Sequence, residues 1–339
     1  MKVLYLLRQS LGGIATHARD LKAALSAHEI DVQIEDATDW IPNETGPKFD
    51  KVVSKRLRGL AESFDLVHAF GYRSAWACSE AFGHKEAWVY TAYDLPKTTH
   101  RVFISHLNDA QTGICASRAI FRALDDAIAI DLTTLSPGVR PVPAGVPDRD
   151  EARRLLGLPQ EPKIVGGLGR LVPERGFKTL IEAMGVVWAH HPDAHLVIAG
   201  DGPERTILEA AKGTLIRPEQ VKLVGRVDDA FAFLAALDFF VVPSLRAGFS
   251  MAALEAMSLG VPTTVRATGG LVELVEPDIS GFVFRQDQEL GAHISEILDL
   301  PLTLETVGMA GRLRATETYG LEPCVEGIVE IYRNIVSGD

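Results

Sequence analysis

Two stretches of the chain concentrate residues that could do chemistry. In "GGLGRLVPERGFKTL", residues 166–180, a short apolar run ends at Gly169, Arg170 follows at once, and Arg175 with Gly176 opens an amphipathic segment. A guanidinium is always charged and presents directed donors, and a helix N-terminus adds partial positive charge, so the pattern suits a diphosphate. Arginine at a helix start is disfavoured by the dipole unless an anion is present. In "SLRAGFSMAALEAMSLGVP", residues 244–262, the single carboxylate is Glu255. Ser250 to Leu259 are good helix formers, Ser250 is suited to cap the start, and Gly260 with Pro262 ends the run. Glu255 shares a face with Met251 and Leu259, and no side of this helix is clearly polar, which predicts burial. A buried carboxylate needs a cation, backbone N–H donors or ligand hydroxyls.

A third stretch, "RQSLGGIATHARDL", places Gly12 and Gly13 between an apolar run and a helical pattern. Glycines there let a ligand approach the backbone, and the helix start attracts an anion or polarises a hydroxyl. The full G-x-G-x-x-G dinucleotide pattern is absent.

Strands must position these loops. Apolar runs at 2–7, 31–35, 65–70, 87–92, 112–116 and 132–136 alternate with helix-length segments, and a second series runs at 163–169, 195–200, 221–225, 238–243, 262–265 and 281–284. The helix predicted from Lys48 to Phe64 carries Phe49, Val52, Val53, Leu57, Leu60 and Phe64 on one stripe. Between the series, "SPGVRPVPAGVPDRDE" has the proline and glycine content of a linker. Continuous apolar strands between amphipathic helices imply parallel sheets covered on both faces. The expected class is α/β, with two doubly wound, Rossmann-like domains in tandem and a ligand cleft between the carboxyl ends of their strands.

Composition narrows the function classes. The 339 residues are 47% hydrophobic and 23% charged, with a formal net charge of −11, which argues against a general nucleic-acid binder. Cys78, Cys115 and Cys324 have neither metal nor disulfide spacing, so a cytoplasmic protein is expected. The apolar stretch from Val3 to Leu7 is too short for a signal peptide, and no run reaches the length of a spanning helix. "HHPDAH" offers His190, His191 and His195, but Pro192 breaks any shared face, and "DRD" at 148–150 falls in the linker. No metal site is expected.

The chain resembles the retaining, nucleotide-sugar-dependent glycosyltransferases of family 4, which share the GT-B fold. The resemblance extends over nearly the whole chain and is dense in the second half. There "GLGRLVPERGFKTLIEAM", "HLVIAGDGPER", "VKLVGRVDD", "DFFVVPS", "GFSMAALEAMSLGVPTTV", "GGLVELVE" and "SGFVF" follow the family pattern in order and spacing. It implies an acceptor-side domain over 1–145, completed by a C-terminal helix at 319–337, and a donor-binding domain over 146–318. It also implies that Arg170 holds the donor diphosphate with Arg175 in place of a usual lysine. Glu255 would receive the ribose hydroxyls, with Gly169, Val227, Ser250, Met251 and Ala252 around the nucleotide. Gly12, Gly13, His17, Tyr93, Asp94, Ala247, Gly248 and Phe249 would lie toward the donor sugar and acceptor.

Three positions depart from the family pattern. Ala247 stands where the first of two spaced acids belongs, Tyr93 replaces a usual histidine, and Ser250 a usual glycine. All three fall where the resemblance puts the sugar. The leading expectation is a metal-independent transferase that moves a sugar from a nucleoside diphosphate to a small-molecule or glycan acceptor with retention. A nucleotide-sugar-binding protein or partner subunit without turnover is the alternative, and an epimerase of the same fold is a third. The basic face formed by Lys51, Lys55, Arg56 and Arg58 could meet anionic lipid headgroups or simply be solvated. Nothing in the sequence fixes an oligomeric state.

Overall fold

The computed structural model describes residues 1–8, 12–41, 51–96 and 101–338. It divides into two compact units, Met1–Arg140 with the segment that begins at Gly320, and Pro141–Tyr319. The first unit holds strands β1 (Lys2–Leu7), β2 (Asp31–Asp36), β3 (Leu66–Phe70), β4 (Trp88–Ala92), β5 (Thr112–Cys115) and β6 (Leu132–Thr134). Helices α1 (Gly13–Leu25), α2 (Lys51–Ala61), α3 (Tyr72–Phe82), α4 (Arg101–Leu107) and α5 (Arg118–Leu124) fall between successive strands. The sheet is parallel in the order β2-β1-β3-β4-β5-β6. Every residue of β3 and β4 is buried, as a doubly covered parallel sheet requires.

The second unit repeats the plan with β7 (Ile164–Leu168), β8 (His195–Ala199), β9 (Val221–Gly225), β10 (Phe239–Val242), β11 (Thr263–Arg266) and β12 (Phe282–Phe284), ordered β12-β11-β10-β7-β8-β9. Its helices are α6 (Arg149–Leu156), α7 (Phe177–His190), α8 (Arg205–Gly213), α9 (Ala230–Ala235), α10 (Met251–Ser258), α11 (Leu271–Leu274), α12 (Leu290–Leu298) and α13 (Pro301–Glu317). One apolar cluster joins α7 and α12 to the sheet through Phe177, Trp188, Phe239 and Phe284. Among the described residues, the twelve strands coincide with the predicted runs to within two residues.

Two local expectations need correction. Val52 was placed on the buried stripe, yet it is 66% exposed while Val53 and Leu57 are buried. A stripe at helical spacing is wider than the face a single neighbour can cover, so its margin turns to solvent. Phe49 lies outside the described residues. The carboxylates at 148–150 belong to a helix start instead of a linker: the Asp148 side chain accepts from the Glu151 N–H at 2.9 Å, and Asp150 sits in the first turn of α6. That helix is anchored by Arg153, which is buried, meets Asp238 at 2.6 Å and donates to the Ala236 carbonyl at 3.0 Å. Asp238 in turn accepts from the Ile164 N–H at 2.7 Å.

The final helix, α14 (Leu321–Ser337), closes the first unit against α1. Its entry is tight: a β-carbon on Gly138 would lie 2.5 Å from the Leu321 α-carbon. Beneath it runs a buried polar network. The His68 ring bonds to the Tyr332 hydroxyl through Nδ1 and to the Thr91 hydroxyl at 2.7 Å through Nε2, and Tyr332 donates to the Tyr5 hydroxyl at 3.1 Å. His17 Nε2 accepts from the Gly138 N–H at 3.3 Å and lies 3.7 Å from Cys324 Sγ, while Nδ1 is 2.9 Å from the Tyr93 hydroxyl. A neutral ring that accepts at Nε2 carries its proton on Nδ1, so His17 donates to Tyr93. Among the described residues no helix is long and apolar enough to cross a membrane.

Burial holds both imidazoles at a pKa of about 3, against an ordinary 6.5. The unfolded chain takes up protons below about 6.5 while the folded rings resist until about 3. The stability is therefore complete above the unfolded value and lost as pH falls toward the folded one. Each histidine contributes a slope of up to about 1.4 kcal/mol per pH unit in that window. His68→Gln should lower stability at neutral pH yet flatten the acid limb by about that slope in denaturant titrations. An acid limb as steep as that of the parent protein would contradict the assignment.

Candidate functional site

The order of the second sheet locates its crevice. The chain runs outward from β7 through β8 to β9, then returns to lay β10 on the other side of β7. Loops at the carboxyl ends of β7 and β10 therefore diverge at the switch point, where open α/β sheets bind ligands. They are the Gly169–Gly176 loop and the Pro243–Ser250 loop.

Backbone contacts lock these loops in place. The Leu245 N–H donates to the Glu174 carbonyl at 2.9 Å, Gly169 N–H to Ala199 at 3.0 Å, and Leu171 N–H to Asp201 at 3.0 Å. A β-carbon on Gly200 would lie 1.8 Å from the Gly169 carbonyl oxygen, and one on Gly176 would lie 2.2 Å from that of Pro243. Both glycines also have positive φ, +139° and +68°. No other residue fits either place. "AGDGPER" carried the signal for Gly200, a glycine directly after a strand, but its partner carbonyl is visible only in the fold.

On this frame Arg170 is exposed and Arg175 half-buried, with Arg175 Cδ 4.0 Å from where a Gly169 β-carbon would lie. Arg175 closes a single 3₁₀ turn, Pro173–Arg175, rather than starting the long helix, and Gly176 caps α7. The first turn of α7 has no acidic residue and no side-chain cap. Across the crevice, the Ser250 hydroxyl accepts from the Ala253 N–H at 3.2 Å and starts α10 as predicted. Glu255 is 6% exposed on the second turn of that helix. Met251 is buried, Ala252 half-buried, and Val227 half-buried in the segment between β9 and α9. Two guanidiniums and two helix N-termini converge on one crevice, which gives it the electrostatics of an anion site.

The residues expected on the sugar side divide. Ala247 is 1% exposed, and its carbonyl accepts from the Gly270 N–H at 3.2 Å. Gly248 is buried beside it, and the Phe249 ring turns inward onto Tyr319 at 6.2 Å between centroids. In the first unit Gly12 and Gly13 are exposed at the start of α1, and no described atom lies within 4 Å of where a Gly12 β-carbon would be. Asp94 is exposed, and its carbonyl accepts from the Tyr72 hydroxyl at 2.8 Å. His17 and Tyr93, expected beside a ligand, are 2% and 5% exposed and bonded to each other in the network under α14. That network already engages both ring nitrogens of His17. Among the described residues no group of three His, Cys, Asp or Glu side chains could hold a metal, "HHPDAH" and "DRD" included.

Residues 148–314 match the family described as "Glycosyl transferases group 1". The chain is 31% identical over 202 residues to the GDP-mannose-dependent monoacylated alpha-(1-6)-phosphatidylinositol monomannoside mannosyltransferase of Corynebacterium glutamicum, covering 57% of this chain and 52% of that protein. It is 28% identical over 208 residues to the 2-deoxystreptamine glucosyltransferase of Streptomyces kanamyceticus, covering 57% and 54%. The chain thus spans about half the length of the curated relatives it matches. Among solved structures, sucrose-phosphate synthase from Thermosynechococcus elongatus superimposes with a TM-score of 0.82 at 21% identity over all of both chains. Anabaena HepE in complex with UDP and glucose gives 0.81 at 22% identity over 98% of this chain and all of that one. These likenesses establish the fold as two Rossmann-like domains of the GT-B type.

The glycine seal makes a stability contrast. Gly200→Ala should destabilise the second unit by about 3 kcal/mol or more, because a backbone carbonyl has nowhere to go. Gly185→Ala, exposed inside α7 with nothing near its β-carbon, should instead stabilise by about 0.5–1 kcal/mol. Thermal unfolding of the pair checks both signs, and a Gly200→Ala protein as stable as the parent would refute the seal.

Proposed function

We propose that the chain is a glycosyltransferase that moves a sugar from a nucleoside diphosphate to an acceptor hydroxyl with retention at the anomeric carbon and without a metal. The observation that carries this reading is the convergence of Arg170, Arg175 and the starts of α7 and α10 on the β7/β10 crevice, with Glu255 buried in the same helix. The match to the glycosyltransferase model over 148–314 and the transferase names of the relatives support it.

In this reading Arg170 and Arg175 bind the donor diphosphate. Glu255 accepts from ribose hydroxyls, while Gly169, Val227, Ser250, Met251 and Ala252 shape the nucleotide side. As the bond from the anomeric carbon to the diphosphate oxygen breaks, the electron pair leaves with phosphate. The two guanidiniums and the helix N-termini then hold charge that grows in the transition state. Directed permanent cations do here what a divalent ion does elsewhere. The acceptor oxygen bonds to the anomeric carbon from the face the diphosphate leaves, and its proton passes to a departing phosphate oxygen, so no side-chain base is needed. With Ala247 standing where the family pattern has an acid, the loop after β10 brings no carboxylate to the sugar, which favours a donor sugar held in another way. The reduced, buried cysteines suit action in the cytoplasm.

Calorimetry with UDP, GDP, ADP and dTDP, followed by turnover of the matching sugar donors, tests the assignment. One nucleotide should bind tightly, Arg170→Ala and Glu255→Ala should each weaken it about tenfold to hundredfold, and Arg170→Ala should cut transfer by orders of magnitude. Turnover by Arg170→Ala equal to that of the parent protein would end the proposal. Nucleotide binding with no turnover on any acceptor would favour a binding protein, the reading that Ala247 motivates.

A further inference from the structure

Helix α13 is apolar on two opposite sides. Its inner face holds Leu304, Val307, Gly308, Gly311 and Ala315, all buried. The glycines seat it backbone against backbone: a β-carbon on Gly308 would lie 2.3 Å from the Gly260 carbonyl oxygen, and one on Gly311 would lie 2.9 Å from that of Ser280. Arg314 donates through Nε to the Leu274 carbonyl at 2.8 Å and through Nη2 to that of Glu273 at 3.0 Å. The helix is thus held in place from within.

Its outer face carries Leu302, Met309 and Leu313, which are 79%, 67% and 56% exposed. With Thr306 and Thr316 they fall at alternating steps of four and three residues, the seam spacing of a two-stranded coiled coil. Neither threonine makes the seam polar. The Thr306 hydroxyl donates to the Leu302 carbonyl at 2.9 Å and the Thr316 hydroxyl to the Arg312 carbonyl at 3.0 Å, so covering them would strand no donor. A helix apolar on both sides is normally covered on both.

Charge along one edge identifies the cover. Glu305 and Arg312 are exposed, two turns apart, and flank the seam on the same side. Among the described residues neither side chain has a hydrogen-bond or ion-pair partner. If two copies of the helix run antiparallel, with Leu302 against the second copy's Leu313 and Thr306 against its Met309, the flanking residues that meet are Glu305 and Arg312. A two-fold axis makes that pair twice, so the face complements itself, as an isologous interface must. The opposed dipoles of antiparallel helices favour the same arrangement.

We propose that the outer face of α13 is the interface of a two-fold homodimer in which this helix pairs antiparallel with its copy. The proposal stands apart from the chemistry of the crevice. Two helices of 17 residues cover less than the roughly 800 Å² per partner of a standard interface, so the dimer should dissociate in the micromolar range.

Sedimentation equilibrium of the full chain, across about a hundredfold range of concentration, should show reversible exchange between monomer and dimer. Met309→Lys, in the middle of the seam, should raise the dissociation constant about tenfold or more, and so should Arg312→Glu, which twice sets a carboxylate against Glu305. Adding Glu305→Arg to Arg312→Glu exchanges the two charges and should restore the parent constant to within about threefold. These side chains are exposed, so circular dichroism of every variant should match the parent. A parallel pair would instead set Arg312 against the second copy's Glu317, and the exchange would not rescue it. Rescue by the exchanged charges supports the antiparallel interface. A chain that stays monomeric, which would leave the face to a different protein, a dimer indifferent to Met309→Lys, or an exchange without rescue overturns it.

Discussion

The carbonyl oxygen of Gly169 occupies the space in which any side chain on Gly200 would begin, and the second unit's loops are arranged around that close approach. Because backbone meets backbone there, the loop after β7 cannot slide relative to the loop after β8. The Glu174–Leu245 bond extends the same fixity to the loop after β10. Cationic side chains gain from such a mounting. A guanidinium on a mobile loop would lose much of its binding energy to ordering, whereas here the ordering is complete before a ligand arrives.

Charge distribution follows the same economy. The chain as a whole is strongly acidic, yet Arg170 and Arg175 gather beside the glycine turns at the β7/β10 switch point. Elsewhere arginine serves packing: Arg153 is wholly enclosed and pairs with Asp238, and Arg266 donates to the Pro243 carbonyl at 3.1 Å beneath the β10 loop. Arg153 braces the amino ends of β7 and β10, and Arg266 the loop that leaves the carboxyl end of β10.

Much of this was legible in the sequence because parallel strands announce themselves as unbroken apolar runs, and all twelve were found that way. The α10 start was legible for a local reason too, since a serine after glycine and phenylalanine is a cap wherever it occurs. Long-range facts were hidden. Nothing near His17 says that its ring is enclosed by Tyr93, Gly138 and Cys324, groups brought together from distant parts of the chain. Strand order is hidden likewise: that β3 lies beside β1 and β10 beside β7 is known only from the fold. The Val52 error has the same origin, because periodicity reports which residues share a face and not how far the neighbouring surface extends.

The closing role of α14 carries a consequence for the order in which the protein takes shape on the ribosome. Tyr5, His17 and His68 are made before the second unit, but the Tyr332 and Cys324 side chains that complete their surroundings are made after it. The second unit lies wholly between these points in the chain and has all of its own core by Tyr319. Its residues can therefore finish folding while the first unit still exposes an apolar face and open polar groups to solvent. Although N-terminal domains usually lead during synthesis, here the domain begun first is the one completed second.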